Sequence, residues 1–497
     1  MSKDIAGEKD PFEGHFIRDE EAEEARAANV HDIGQTPRWV AEMNAKYALM
    51  TSEGGKARVL VYTTSEVSGR IIPRLISAES FRLIENNHMI ENGTDKNGNP
   101  KYAEAGSAWL KHPQRRTLSE FRFDPSTTES VIASVVPGQA PYLNLWGGFG
   151  VDPRSGDWSL LKQHIREVLA SDVEEYFRYI IRWIAWVLQN PDKVPEVALV
   201  FRGDKGSGKG TLGRSLTKIF GDHGLHLSSP GLLTGRFNEH YRFTAFVFAD
   251  EAIHRGDKAA AAKFQTMITE DVLVIEGKGE KVVQTRNRLS ILMAAEDGWN
   301  VPAGPYERRY GVFDVSACRR GDTTYFDALN TQIEGGGLEA MLHDLLAMDL
   351  EGWHPREGVP QTEALARQKE LSMGLVDEFI ADVLEEGILP AEPAGKDAPL
   401  GAVAAEALWE AMKNRVPLLE KWSNQKLASE MATTWGVEKD RVGRVRARVF
   451  PPLPDMRKMF AERYGQRKWD GGIDAEWNWS PQEAQIDRLL GEKGRAD

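Results

Sequence analysis

Apolar residues change their period several times along this chain, and each change marks an element. "ARVLVYTT" at 57–64 reads as a strand, and Asn97-Gly98 marks a turn farther on. Val173, Phe177, Ile180, Ile184 and Val187 then recur at helical spacing. Arg178 and Arg182 break that stretch well short of the ~20 apolar residues a membrane span needs. Three short apolar runs follow, "EVALVF" at 196–201, "YRFTAFVFADEA" at 241–252 and "RLSILMA" at 288–294, and each predicts a core strand. Between the last two, "VLVIE", "GKGE" and "KVVQT" predict a hairpin.

Strands alternating with helical patterns predict an α/β fold built on a parallel sheet. Changes in composition divide it. Residues 1–45 include the charge run "RDEEAEEARAANV" and read as an acidic tail, disordered or a frayed helix. Residues 46–141 form an N-terminal α+β region, 142–320 a core with the densest chemistry, 321–388 a helical segment, and 389–401 a Pro/Gly/Ala linker. A small basic domain occupies 402–497. There the sequence predicts a helix at 402–413, a second starting at Ser423, a turn at Gly436, and a third helix through "DRVGRVRARVF". That order is compatible with a helix-turn-helix or a winged helix. "RKMFAERYGQRKW" then interleaves cations with Phe460, Tyr464 and Trp469, a combination suited to phosphate contacts and base stacking.

Composition narrows the partners more than the fold. The single cysteine, Cys318, excludes an internal disulfide framework and a multi-cysteine metal site. The N-terminus has no apolar signal core, so the expected compartment is a reducing cytoplasm, bacterial or that of an infected cell, with no membrane partner. A net charge of −13 confines any nucleic-acid contact to a pore or one basic module. "DKNGNP" at 95–100 reads as a turn, because Pro100 stands where a calcium loop needs glycine.

The richest chemistry begins at "GDKGSGKGT". Gly203, Gly208 and Lys209 fit the G-x-x-x-x-G-K phosphate loop, set between the strand ending at Phe201 and a helix through "TLGRSLTKIFG". Backbone N–H groups from Gly203, Asp204, Lys205, Gly206, Ser207, Gly208, Lys209, Gly210 and Thr211 would cradle phosphates, with Lys209 reaching the β and γ groups of ATP. Gly210 occupies the place of the usual magnesium-binding hydroxyl, and Thr211 follows one position late. Asp250 and Glu251 end the next apolar strand: the first can hold Mg2+ with Thr211, the second can deprotonate an attacking water. A kinase has no use for such a base, whereas a hydrolase requires one. Lys278, with Lys281 beside it, falls near the predicted hairpin tip, where a compact charge suits a nucleic-acid phosphate. Arg308 and Arg309 precede another strand and can stabilise charge on a transferring phosphoryl group.

Taken in order, "NLWGGFGVDP", "GDKGSGKGT", "FADEA", "MITEDVLVIEGKGEK", "WNVPAGPYERRYGVFDVS" and "YFDALNTQIEGGGLEAMLHDLL" resemble the ATPase module of phage and large-virus primase–helicases, poxvirus-type members of helicase superfamily 3. The resemblance spans roughly residues 140–390. It implies an AAA+ P-loop ring, usually a hexamer, that hydrolyses ATP with Mg2+ as a DNA helicase in phage or mobile-element replication. It also implies that Arg308 or Arg309 acts across a subunit interface, and that Lys278 lines a pore against single-stranded or forked DNA. Two departures stand out. Members commonly end the fourth core strand with a sensor asparagine, where this chain has Glu296; Asp297 or Asn300 can substitute. Members often carry a primase domain upstream, which the first ~140 residues are too short to hold, so priming is expected of a separate primase or polymerase, or to be absent. Two other readings stay open: a nucleotide kinase-like phosphotransferase, since "GSGKGT" resembles the adenylate kinase loop, and a slow or inactive ATPase ring serving as a DNA-binding module.

Overall fold

The computed structural model describes residues 36–51, 57–250, 258–278, 282–296, 298, 301–396, 398–469 and 479. Of the expectations above, residues 1–35 of the tail, Glu251, Lys281, Asp297 and Asn300 lie outside the described residues.

The N-terminal region runs α1 (Arg38–Lys46), β1 (Ala48–Thr51), β2 (Ala57–Thr64), β3 (Ile71–Ser77), α2 (Ala78–Ile84), β4 (Met89–Thr94), β5 (Pro100–Glu104), α3 (Ala105–Lys111) and β6 (Thr117–Leu118). Its sheet has the order β3-β2-β1-β6. Buried Phe81 and Trp109 anchor α2 and α3, and the Trp109 indole donates to Asn44 Oδ1 at 2.8 Å. The β4–β5 hairpin turns at Asn97-Gly98, where Gly98 takes φ +81° and the Asp95 carboxylate accepts from the Asn97 N–H. A small sheet of β7 (Phe121–Arg122), β8 (Val131–Ile132) and β9 (Tyr142–Asn144) leads into the centre of the molecule.

There, α4 (Ser159–His164) and α5 (Glu174–Gln189) precede β10 (Ala198–Arg202), α6 (Gly210–Phe220), β11 (Gly224–Leu227), α7 (Pro230–Thr234) and β12 (Phe246–Asp250). Next come α8 (Lys258–Thr269), the β13 (Val272–Ile275) and β14 (Val283–Arg286) hairpin, β15 (Ser290–Ala295) and β16 (Tyr310–Asp314). Five of these strands form a wholly parallel sheet in the order β11-β12-β15-β10-β16. The apolar runs are continuous because both faces are covered. Leu199, Phe201, Phe246, Phe248, Leu292 and Ala294 point into one core, with α5, α6, α9 (Thr323–Gln332) and α10 (Leu338–Leu346). Ala198, Val200, Val247, Ala249, Ile291 and Met293 point into the other, with α8 and α11 (Glu363–Leu371). The strand period of two sorts each run between them.

The C-terminal module has its own core. It runs α12 (Leu375–Glu386), β17 (Ala402–Ala404), α13 (Ala405–Arg415), α14 (Asn424–Trp435), β18 (Glu438–Val442), β19 (Val445–Val449) and α15 (Leu453–Tyr464), with sheet order β17-β19-β18. Ser423 caps α14 by accepting from the Lys426 N–H, and Gly436 ends it in the left-handed region at φ +67°. Three expectations need correction. Positions 38–45 of the expected disordered or frayed tail belong to helix α1, which buries Val40 and Met43. "DRVGRVRARVF" is a β-hairpin and not a helix: Val445, Ala447 and Val449 alternate with arginines at the strand period, and Gly443 at φ +59° turns the chain. Phe460, Tyr464 and Trp469 are buried at 0, 2 and 8 % exposure, so they cannot stack on bases. The Tyr464 hydroxyl donates to Asp377, as does the Trp435 indole. Two of the nearby cations are also occupied: Arg457 donates to the Leu384 carbonyl, and Arg467 pairs with Glu385 at 3.0 Å.

Helix α6 lies close to the sheet because Gly213 has no side chain; a Cβ there would stand 2.2 Å from the Phe248 ring. Gly213→Ala is expected to lower unfolding stability by about 1–3 kcal/mol through overpacking. Denaturant melts of the two proteins check this, and an unchanged midpoint would show that α6 is free to move away.

Candidate nucleotide-binding site

Strands of a parallel sheet all end on one side, and ligands of such sheets bind beyond those carboxyl ends. The loop after β10 occupies that side. Gly203, Gly206 and Gly208 take φ of +156°, +80° and +93°, values that side chains disfavour, so the backbone turns tightly. Contrary to expectation, the Ser207 and Thr211 N–H groups are spent inside this turn, on the carbonyls of Asp204 at 3.3 Å and Gly208 at 3.0 Å. The Gly203 N–H donates to the Ala295 carbonyl at 3.2 Å, which ties the loop to the end of β15. Lys209 folds its ammonium back on the loop, donating to the carbonyls of Gly203 at 3.0 Å and Asp204 at 3.5 Å. The Ser207 hydroxyl is buried without a hydrogen-bond partner among the described residues, and α6 begins at Gly210, aiming its positive end at the loop. Lys205 is exposed and Thr211 is buried in the first turn of α6.

The sheet register brings two acids to the same side. Asp250 pairs in register with Ala294 and lies 3.5 Å from His226 Nε2. Glu296 directly follows Ala295, whose carbonyl holds Gly203, and its side chain is exposed. The place a residue-210 side chain would take is filled by Arg214, whose Nη1 stands 2.6 Å from the position of a Cβ. A cation therefore sits where the usual hydroxyl would be.

Arg308 and Arg309 lie elsewhere. The Ala198 N–H donates to the Arg309 carbonyl at 2.8 Å, at the amino end of β10. The length of that strand, roughly 17 Å at ~3.3 Å per residue, separates them from the loop of their own chain. Buried Glu307 organises the corner: its carboxylate accepts the N–H groups of Arg308 at 2.9 Å and Arg309 at 2.7 Å. It also holds the Arg309 guanidinium at 3.5 Å, while the Arg308 side chain is exposed with no partner among the described residues. Lys278 is exposed in the loop joining β13 to β14.

Three residues that the sequence did not single out complete the site. Arg214 is the first. Arg320, in the turn after β16, pairs with Asp204 of the loop at 2.5 Å. His164, fully buried at the end of α4, places Nε2 3.1 Å from the Gly208 carbonyl and Nδ1 3.1 Å from the Tyr325 hydroxyl. The carbonyl can only accept, so Nε2 carries the proton and Tyr325 O–H donates to Nδ1. His164 and Phe326 also press on Gly208, where a Cβ would lie 2.6 Å and 3.0 Å from their rings. No spacing rule links residue 164 to a loop some forty residues later; "CRRGD" offered only a pair of ordinary surface cations.

Residues 201–309 match a family of unknown function, DUF5906. The chain is 27 % identical over 139 residues to the DNA primase-polymerase of Nitratiruptor phage NrS-1, a match that covers 27 % of this chain and 19 % of that protein. The chain thus spans about a fifth of that relative's length. Two solved apo structures of the NrS-1 C-terminal region align at TM-scores of 0.58 and 0.59 with 16 % identity, over 84 % of this chain and all of theirs. At that identity the likeness is one of fold.

Burial drives the His164 pKa from 6.5 down to about 4, with the Gly208 hydrogen bond opposing the fall. A histidine held neutral in the folded state supports folding fully above pH 6.5 and loses that support as pH falls from 6.5 toward 4. The loss amounts to about 3 kcal/mol at full protonation. His164→Asn is therefore expected to flatten the stability–pH curve over that window, measured by denaturant melts. An unchanged slope would place the titration elsewhere.

Proposed function

We propose that this chain is an ATP-driven DNA translocase of phage replication, an AAA+ ring of superfamily 3 type. One observation carries the reading: the phosphate loop, Asp250 and Glu296 share the carboxyl end of the sheet, while Arg308 and Arg309 stand at its amino end. Arginines so placed are too far from their own nucleotide to serve it, but they can serve a neighbour's in a ring. The strand order β11-β12-β15-β10-β16 supports the same reading by setting the loop-bearing strand inside the sheet. Similarity to a phage primase-polymerase supports the setting in DNA replication.

On this reading ATP phosphates displace the Gly203 and Asp204 carbonyls from Lys209, and the loop N–H groups and the start of α6 hold the β-phosphate. Asp250 and Thr211 are the residues that would hold Mg2+, which would neutralise charge on the phosphates. Glu251 takes a proton from water as its oxygen attacks the γ-phosphorus, and the bond to the β–γ bridging oxygen breaks to give ADP and phosphate. Arg308 of the next protomer meets the charge that develops on the γ-phosphoryl group, and Arg320 and Arg214 hold the site's positive field from within the chain. Glu296 in the sensor position slows this step by repelling the phosphate. Lys278, with Lys281, grips single-stranded or forked DNA. The C-terminal module, ordered helix, strand, helix, helix, hairpin, is a winged helix.

Hydrolysis tests the reading. Phosphate release is expected to rise with forked DNA, to vanish in Lys209→Ala, and to fall on the order of a thousandfold in Arg308→Ala/Arg309→Ala. Mixing these two inactive variants should restore part of the rate, since mixed rings pair an intact loop with an intact arginine. Absence of rescue would refute action across an interface, and efficient transfer to nucleoside monophosphates would favour a kinase.

A further inference from the structure

The β18–β19 hairpin carries more cations than its fold can use. Lys439 stands opposite Arg448, and Arg441 opposite Arg446. With a side-chain period of two, all four project from one face of the hairpin, while Glu438 and Asp440 belong to the other. Like charges directly across a ladder destabilise it. Arg448 is accounted for, since it donates to the Ala447 carbonyl and lies 5.3 Å from the Trp409 ring. Lys439, Arg441, Arg446 and, at the turn, Arg444 are exposed, and their charged ends have no partner among the described residues. In a protein of net charge −13, such a cluster needs an anion.

The preceding helix has a different surface. Leu427, Met431 and Trp435 of α14 are buried, while Gln425, Ser429 and Thr433 line an exposed stripe of uncharged donors and acceptors. Only Gly436 and Val437 separate this helix from β18, so the stripe and the hairpin are adjacent along the chain.

We infer that the C-terminal module binds duplex DNA, with the Gln425–Ser429–Thr433 stripe in the major groove and Arg441, Arg444 and Arg446 on flanking phosphates. The inference rests on the winged-helix reading of this module and is independent of ATP hydrolysis by the sheet. Uncharged polar side chains on a helix suit base edges, and free arginines suit the backbone. Single-strand readers need exposed aromatic platforms, and here Trp409, Trp435, Phe450, Phe460, Tyr464 and Trp469 are buried, while half-buried Trp422 is covered by Lys426, whose Nζ lies 3.5 Å from its ring. Duplex RNA is excluded by its deep, narrow major groove, which admits no helix.

Anisotropy of a labelled mixed-sequence DNA duplex, titrated with the full chain over a salt series without nucleotide, tests this. The same sequence as a single strand and as duplex RNA provides the comparisons. Arg441→Ala/Arg444→Ala/Arg446→Ala is expected to weaken duplex DNA binding on the order of tenfold or more. It should also reduce the slope of log K against log salt by about 2–3, as for three phosphate contacts. Single-strand affinity should stay unchanged. Arg446→Glu gives Arg441 an opposite charge, so it should weaken duplex binding while the melting midpoint holds or rises. Unchanged duplex affinity in the triple variant, a parallel loss of single-strand affinity, or RNA held as tightly as DNA would overturn the inference. DNA-free phosphate release, expected to match wild type in the triple variant, separates the two readings: no release from either protein, with or without forked DNA, sinks the translocase and leaves duplex binding standing.

Discussion

Everything chemical in this molecule depends on the shared direction of five parallel strands. A parallel sheet has two unlike ends, and the chain can leave its strands with loops only at one of them before crossing back. The glycine loop, Asp250 and Glu296 are brought together because each directly follows, or closes, a strand at the carboxyl end. The same rule drives Arg308 and Arg309, which precede a strand, to the other side. No side-chain contact is needed to enforce this separation.

Packing then sets how firmly the site is held. The loop is gripped from several directions: by the β15 carbonyl at Gly203, by His164 and Phe326 at Gly208, by Arg320 at Asp204, and by α6, whose approach Gly213 permits. Two of these depend on glycines whose missing side chains leave room for a neighbour. The glycine content of "GDKGSGKGTLG" is therefore a matter of fit to Phe248, Phe326 and His164 as much as of backbone freedom.

Much of this could be read from the sequence where periodicity was strong. Continuous apolar runs gave β10, β12 and β15, and the 173–189 spacing gave α5, because burial on both faces or on one stripe leaves a pattern in the chain itself. The 440–450 stretch reads as a helix from sequence alone because arginines alternating with valines satisfy a charged helix face nearly as well as a strand; the turn at Gly443 decides. Phe460, Tyr464 and Trp469 looked available beside so many cations, but only the tertiary core shows them to be spoken for. His164, Arg214 and Arg320 were invisible for a related reason: each reaches the loop across a distance that the sequence does not encode.

The separation of the two ends of β10 has a consequence beyond geometry. If the arginine corner of one protomer completes the loop of the next, the smallest unit that turns over is a pair, and a lone chain is a nucleotide store. Dilution then silences the protein without unfolding it, and anything that gathers protomers sets the rate. On that proposal catalytic output would read out assembly, through the direction in which a strand of five residues runs.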